Sequence, residues 1–85
     1  MINYKEGKVL LDFYANWCGQ CKMLMPKVDE LSNKLTDYKF IKVDVDKEQE
    51  IAYEFNVTNL PTFIVLEDGK EVKRGGINLL QELDK

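Results

Sequence analysis

The run Lys8-Val9-Leu10-Leu11-Asp12-Phe13-Tyr14-Ala15 constrains this chain more than any other segment. Its apolar and aromatic residues follow one another almost without interruption, where a strand with one wet face would alternate them with polar ones. It therefore reads as a strand buried on both faces, of the kind that helices cover from either side of a parallel sheet. An 85-residue chain has room for one such layered unit, so residues 1–85 read as a single domain.

The rest of the chain supplies the layers. From Cys18 to about Leu35, Leu24, Val28, Leu31 and Leu35 recur at helical spacing, and Pro26 is expected to kink that helix. Phe40 to Val45 alternates, with Ile41, Val43 and Val45 on a better-buried side and Lys42 and Asp44 on the other. Asp46 to Gln49 reads as a capping box opening a short helix to about Phe55. A helical crossover between the first two strands favours parallel pairing. Leu60-Pro61 precedes the apolar strand Thr62–Leu66, Asp68-Gly69 supplies a hairpin turn, and Glu71–Arg74 is a return strand polar enough for a sheet edge. Gly75-Gly76 breaks the chain, and Asn78 with Gln81 looks like a second capping box, for a last helix carrying Leu79, Leu80 and Leu83. The expected order is β-α-β-α-β-β-α: an α/β fold with a four-stranded mixed sheet flanked by three helices on both faces.

Composition excludes several roles. The formal net charge is −3 and no basic cluster exceeds Lys73-Arg74, so nothing invites nucleic acid. No apolar run approaches the roughly 18 residues of a membrane span. The N-terminus lacks the basic-then-apolar plan of a signal peptide. The chain reads as cytoplasmic, although a processed secreted form would look the same.

The two cysteines, Cys18 and Cys21, say more. A bridge between them closes too small a loop to stabilise the fold through chain entropy. With no histidine and no third cysteine, one chain lacks the four Cys or His ligands typical of a structural zinc site, and a site shared between two chains is the alternative that remains. Redox exchange fits their placement. Cys18 falls where the first strand gives way to the long helix, facing the unpaired N–H groups of the first turn and the positive end of the helix dipole. Both favour the thiolate, the form that attacks a disulfide. Cys21, one turn on, can resolve the mixed disulfide. This predicts an exposed nucleophile and a partly covered resolving thiol.

Other residues admit two readings. Asp12, in the middle of the apolar strand, is either an exposed strand-end carboxylate or a buried acid of raised pKa, able to take the proton of Cys21. Lys42, on the neighbouring strand, is either a solvated lysine or a modulator of that charge. Trp17 is either a core aromatic or a docking contact beside Cys18. Pro61 is either a trans proline at a strand start or a cis one. Met23 and Met25 read as core or rim fillers.

The segment Val9–Pro26, VLLDFYANWCGQCKMLMP, resembles thioredoxin, and so do Phe40–Asp46 and Val57–Phe63, in matching order over residues 8 to about 76. The resemblance implies a thioredoxin-like fold and a protein-disulfide reductase with Cys18 as nucleophile and Cys21 as resolving cysteine. Asp12 matches a buried family carboxylate, and Pro61 would be the cis-proline lying against the disulfide. Trp17, Leu60, Gly75 and Gly76 would line the surface where protein substrates dock. Gly19, Gln20 and Lys42 would modulate the chemistry. No cofactor beyond the Cys18–Cys21 disulfide is implied. The implied partners are oxidised proteins and a thioredoxin reductase or similar donor, with the protein acting as a monomer.

Three departures from the family stand out. Gln20 replaces the usual proline, restoring a backbone donor near Cys18 that would make the disulfide more oxidising. Only eight residues precede Val9, so the N-terminal strand–helix unit is expected to be missing. Tyr14 stands where many thioredoxins have a second tryptophan. Two alternatives stay open: a glutaredoxin-like enzyme coupled to glutathione, for which Gly75-Gly76 before a helix is suggestive, and a non-catalytic subunit of a larger enzyme.

Overall fold

The apolar run of residues 8–15 forms β1 (Lys8–Tyr14), in the interior of a sheet whose order is β2-β1-β3-β4 in the computed structural model, which describes residues 3–85. β1 pairs in parallel with β2 (Tyr38–Asp44) and antiparallel with β3 (Thr62–Glu67), and β3 pairs antiparallel with the edge strand β4 (Lys70–Gly75). The helices are α1 (Gly19–Lys34), α2 (Gln49–Glu54) and α3 (Ile77–Leu83). The result is the expected β-α-β-α-β-β-α order and mixed sheet. No strand or helix lies in the described residues before Lys8.

Alternate residues of β1 feed two separate cores. Val9, Leu11 and Phe13 cluster with Val43, Ile64 and Leu66, against Ile51, Ala52 and Phe55 in and just after α2. Leu10 clusters with Phe63 and Val65 of β3, Val28 and Leu31 of α1, and Leu79 and Leu80 of α3. Helices α1 and α3 therefore share one face of the sheet, and α2 covers the other. Burying each large apolar side chain contributes about 1.5–3 kcal/mol, so a strand that is apolar on both sides secures both layers. The hairpin expected at Asp68-Gly69 is present, with both residues at positive φ (50° and 85°), as a tight two-residue turn requires.

Polar ties fix the elements that pack least. The Tyr4 hydroxyl donates to the Glu54 carboxylate at 2.7–2.8 Å, and its ring meets Phe55 edge-on, pinning the segment before β1 to α2. Asp84, after α3, accepts from Lys27 and Lys34 of α1, the latter at 2.7 Å.

Several local expectations need correction. The capping box at Asp46–Gln49 does not form. Asp44 turns the chain instead: its carboxylate accepts from the Asp46 N–H at 2.9 Å, and its carbonyl from the N–H groups of Lys47 and Glu48 at 3.1 and 2.7 Å. The helix consequently begins at Gln49, whose side-chain amide donates to the Asp46 carbonyl. Asn78 is no cap either; β4 runs almost directly into α3, leaving Gly76 at the cap position and Asn78 inside the first turn. The Lys42 and Asp44 side of β2 is not simply wet. Tyr38 and Phe40 pack against the α1 core, and Asp44 is 7% exposed, because α1 lies over that face. α1 continues through Pro26 to Lys34, where the proline has no N–H to donate to the Lys22 carbonyl. No helix among the described residues is long and apolar enough to cross a membrane.

Candidate active site

β1 ends at Tyr14, and the chain turns so that the Cys18 N–H donates to the Ala15 carbonyl at 3.1 Å. Cys18 then caps α1 in extended conformation (φ −88°, ψ 104°), with its sulfur accepting from the Cys21 N–H at 3.2 Å. The sulfur thus occupies the place a serine or aspartate oxygen takes at a helix N-cap. Cys18 and Cys21 are joined as a disulfide. Exposures of 7% and 6% correct the expectation of an exposed nucleophile, because Ala15, Tyr14, Val45 and Leu60 close around the pair.

Beside the disulfide, the Leu60–Pro61 peptide bond is cis. Pro61 and Leu60 form one wall of a groove of about 320 Å³, with Gln20, Met23 and Leu24 of α1 opposite and Gly76 and Ile77 at its end. Met23 (80% exposed) and Ile77 (50% exposed) present apolar surface to solvent there, so Met23 is no core filler. A signal existed: Met23 lies one position off the helical stripe that begins at Leu24. Gly76 approaches Pro61, since a Cβ there would lie 3.6 Å from the Pro61 carbonyl oxygen. Gly75 answers to packing instead: a Cβ would come within 3.2 Å of the Leu79 side chain. It lines a second cleft on the far side of Pro61, with Thr58, Asn59 and Arg74.

Trp17 is 70% exposed, which excludes a core role, and its indole N–H donates to the Asp46 carboxylate at 3.0 Å. Asp46 is a residue that sequence reasoning misses, because its spacing presents it as a helix cap. Gln20 is exposed on the groove, and its N–H makes no bond to the Cys18 sulfur in the disulfide form. Gly19 opens α1 with open space around its Cα.

Asp12 is 5% exposed in mid-strand, so the exposed strand-end reading fails. Burial pushes its pKa from 3.8 up to about 6; the Lys42 charge pulls it down, and the Asp29 charge raises it. Lys42 is the register partner of Asp12 on β2, yet its ammonium bonds to Asp29 of α1, at 3.2 Å. Asp29 is a second residue that the sequence leaves unmarked.

Comparisons with known proteins agree with this geometry. The thioredoxin family model matches residues 1–84. A thioredoxin from Mycoplasmoides gallisepticum is 48% identical over 82 residues, covering 92% of this chain and 82% of its own. A thioredoxin from Aspergillus fumigatus is 45% identical over 84 residues, covering 94% and 78%. Among solved structures, the oxidised mitochondrial thioredoxin 3 of Saccharomyces cerevisiae superposes with a TM-score of 0.85 at 36% identity, covering 94% of this chain and 79% of that one.

Proposed function

The chain belongs to the thioredoxin family and is a thiol–disulfide oxidoreductase of the disulfide-reductase type, acting by dithiol exchange, and we propose that Cys18 attacks, Cys21 resolves and Asp12 accepts the proton that Cys21 gives up. The Cys18 thiolate forms a bond to one sulfur of a substrate disulfide, and the other sulfur leaves as a thiolate that takes up a proton. The Cys21 thiol gives its proton to Asp12 and attacks the Cys18 sulfur, expelling the second substrate thiolate. The products are a substrate dithiol and the Cys18–Cys21 disulfide, which is the state the structure holds. An electron donor, a thioredoxin reductase or similar enzyme, then returns two electrons.

The observation that carries this reading is the disulfide capping α1 beside the Leu60–Pro61 wall of an apolar groove. A conjugate acid near pH 6 makes Asp12 a stronger base than an ordinary carboxylate, better matched to a thiol proton. Protein substrates suit a groove whose lining exposes Met23 and Ile77, with the exposed Trp17 preceding Cys18 in the chain. Glutathione suits it less. Its two carboxylates need free cations, and Arg74, in the cleft beside Gly75, is already engaged by Glu71 and the Phe55 carbonyl, which leaves Lys22 as the basic residue beside the cysteine pair. The protein is proposed to work as a monomeric single domain in the cytoplasm, with oxidised proteins as substrates.

Insulin-disulfide reduction, run with a thioredoxin reductase system and separately with glutathione and its reductase, tests the proposal. Turnover is expected in the first. Cys18→Ser should abolish it, and Cys21→Ser should abolish it while accumulating a mixed disulfide. Turnover with glutathione alone, or serine variants that keep full activity, would overturn it.

A further inference from the structure

Asp12 and Lys42 sit side by side on parallel strands about 4.8 Å apart. As register partners they point to the same face, the one α1 covers. A lysine stem is long enough to place its ammonium over the aspartate, which would be the ordinary way to neutralise a carboxylate that is only 5% exposed. The chain does not do this. The Lys42 ammonium bonds outward to Asp29, where the two side chains are 40% and 62% exposed. No hydrogen-bond donor to the Asp12 carboxyl is found among the described residues, and no fully enclosed side-chain polar atom lacks a partner, so that carboxyl keeps a narrow contact with water.

The geometry points to Asp29 as a positioning residue for the reaction. By holding the Lys42 ammonium at the rim of α1, it keeps that charge from pairing directly with Asp12 and preserves the basicity of the carboxylate that receives the Cys21 proton. The inference rests on the proposed role of Asp12, but its first readout does not.

The charged neighbours of Asp12 are few. Lys42 comes from β2 and Asp29 from α1, while the register partner on β3 is Phe63, which carries no charge. Asp44, further along β2, is committed to the Asp46 N–H. The two influential charges are thus bound to each other. Removing Asp29 acts twice in the same direction: it deletes a negative charge near Asp12 and frees a positive one to approach it. Both favour the Asp12 carboxylate and weaken it as a base. The pair is solvent-facing, so its own contribution to stability is small and the fold should survive the change.

The test is titration of the Asp12 carboxyl carbon by nuclear magnetic resonance in the reduced protein, alongside the pH profile of insulin reduction. Asp29→Asn should lower the Asp12 midpoint by about 1 pH unit, in the range of a newly approached opposite charge. Asp29→Glu, which can still reach Lys42, should leave it near the wild-type value. Lys42→Met should raise the midpoint, and adding Asp29→Asn to Lys42→Met should then produce a much smaller drop than in the native background. An unmoved midpoint in Asp29→Asn, or an equal drop with and without Lys42, would overturn the inference. A midpoint that moves while the turnover profile stays fixed supports the positioning of Lys42 and overturns instead the proton-carrying role of Asp12.

Discussion

Replacing Asp12 with asparagine should stabilise the protein at neutral and alkaline pH while damaging its activity. The carboxyl titrates near 3.8 when unfolded and near 6 in the folded protein, raised chiefly by burial. Folded molecules therefore bind the proton more tightly than unfolded ones. Below about pH 3.8 the group is neutral in both states and costs nothing. Between 3.8 and 6 stability falls as pH rises, and above 6 the full penalty applies. This is opposite in sign to a salt-bridged aspartate, whose contribution disappears on acidification. Each tenfold gain in proton affinity corresponds to about 1.4 kcal/mol, so the rise from 3.8 to about 6 gives a penalty of roughly 3 kcal/mol at pH 8. Asparagine has a similar shape and no charge at either pH. Urea unfolding of the oxidised form, with a slope of about 1–1.5 kcal/mol per molar for a domain of this size, should show the Asp12→Asn midpoint rising by about 2–3 M at pH 8 and hardly moving at pH 3.5. An equal difference at both pH values would refute the burial argument, as would a loss of stability at pH 8. Insulin reduction by the same variant should fall, because asparagine cannot accept the Cys21 proton.

Gln20→Pro removes a first-turn N–H that the helix itself does not use; the reduction potential measured against a glutathione buffer should become more negative, and an unchanged or higher value would count against a role for that donor at the thiolate. Asp46→Ala frees the Trp17 indole by deleting its 3.0 Å hydrogen bond, worth about 0.5–1.5 kcal/mol. The KM for a protein disulfide should rise roughly twofold to tenfold, with the rate toward a small aromatic disulfide unchanged; equal losses with both substrates would refute a docking role for Trp17.

What could be read from the sequence was what repeats or is locally unambiguous. The two-sided apolar run of β1 implied helices on both faces, and the stripe from Leu24 to Leu35 fixed the face that α1 buries. The cysteine spacing placed a sulfur at a helix start, and the fold keeps it there. Signals that depend on competition between partners were not legible. Asp46 looked like a cap because its spacing to Gln49 is right, but Asp44 captured the turn and left Asp46 free for Trp17. Lys42 was correctly placed beside Asp12, yet nothing local says that a helix passing overhead brings Asp29 within reach. The burial of Cys18 likewise comes from Val45 and Leu60, both distant in sequence.

That dispersal gives the groove a further property. Its walls come from the start of α1, the Leu60-Pro61 segment and the Gly76-Ile77 turn. In the folded protein these stretches are held together by β3 docked against β1, with Lys8 opposite Glu67, and by β4 folding back to lead into α3. Loop closures over such spans cost entropy before any contact rewards them. Recovery of catalysis on refolding should therefore trail the helical signal and coincide with completion of the sheet, which would make turnover of a disulfide a reporter of long-range order in this chain.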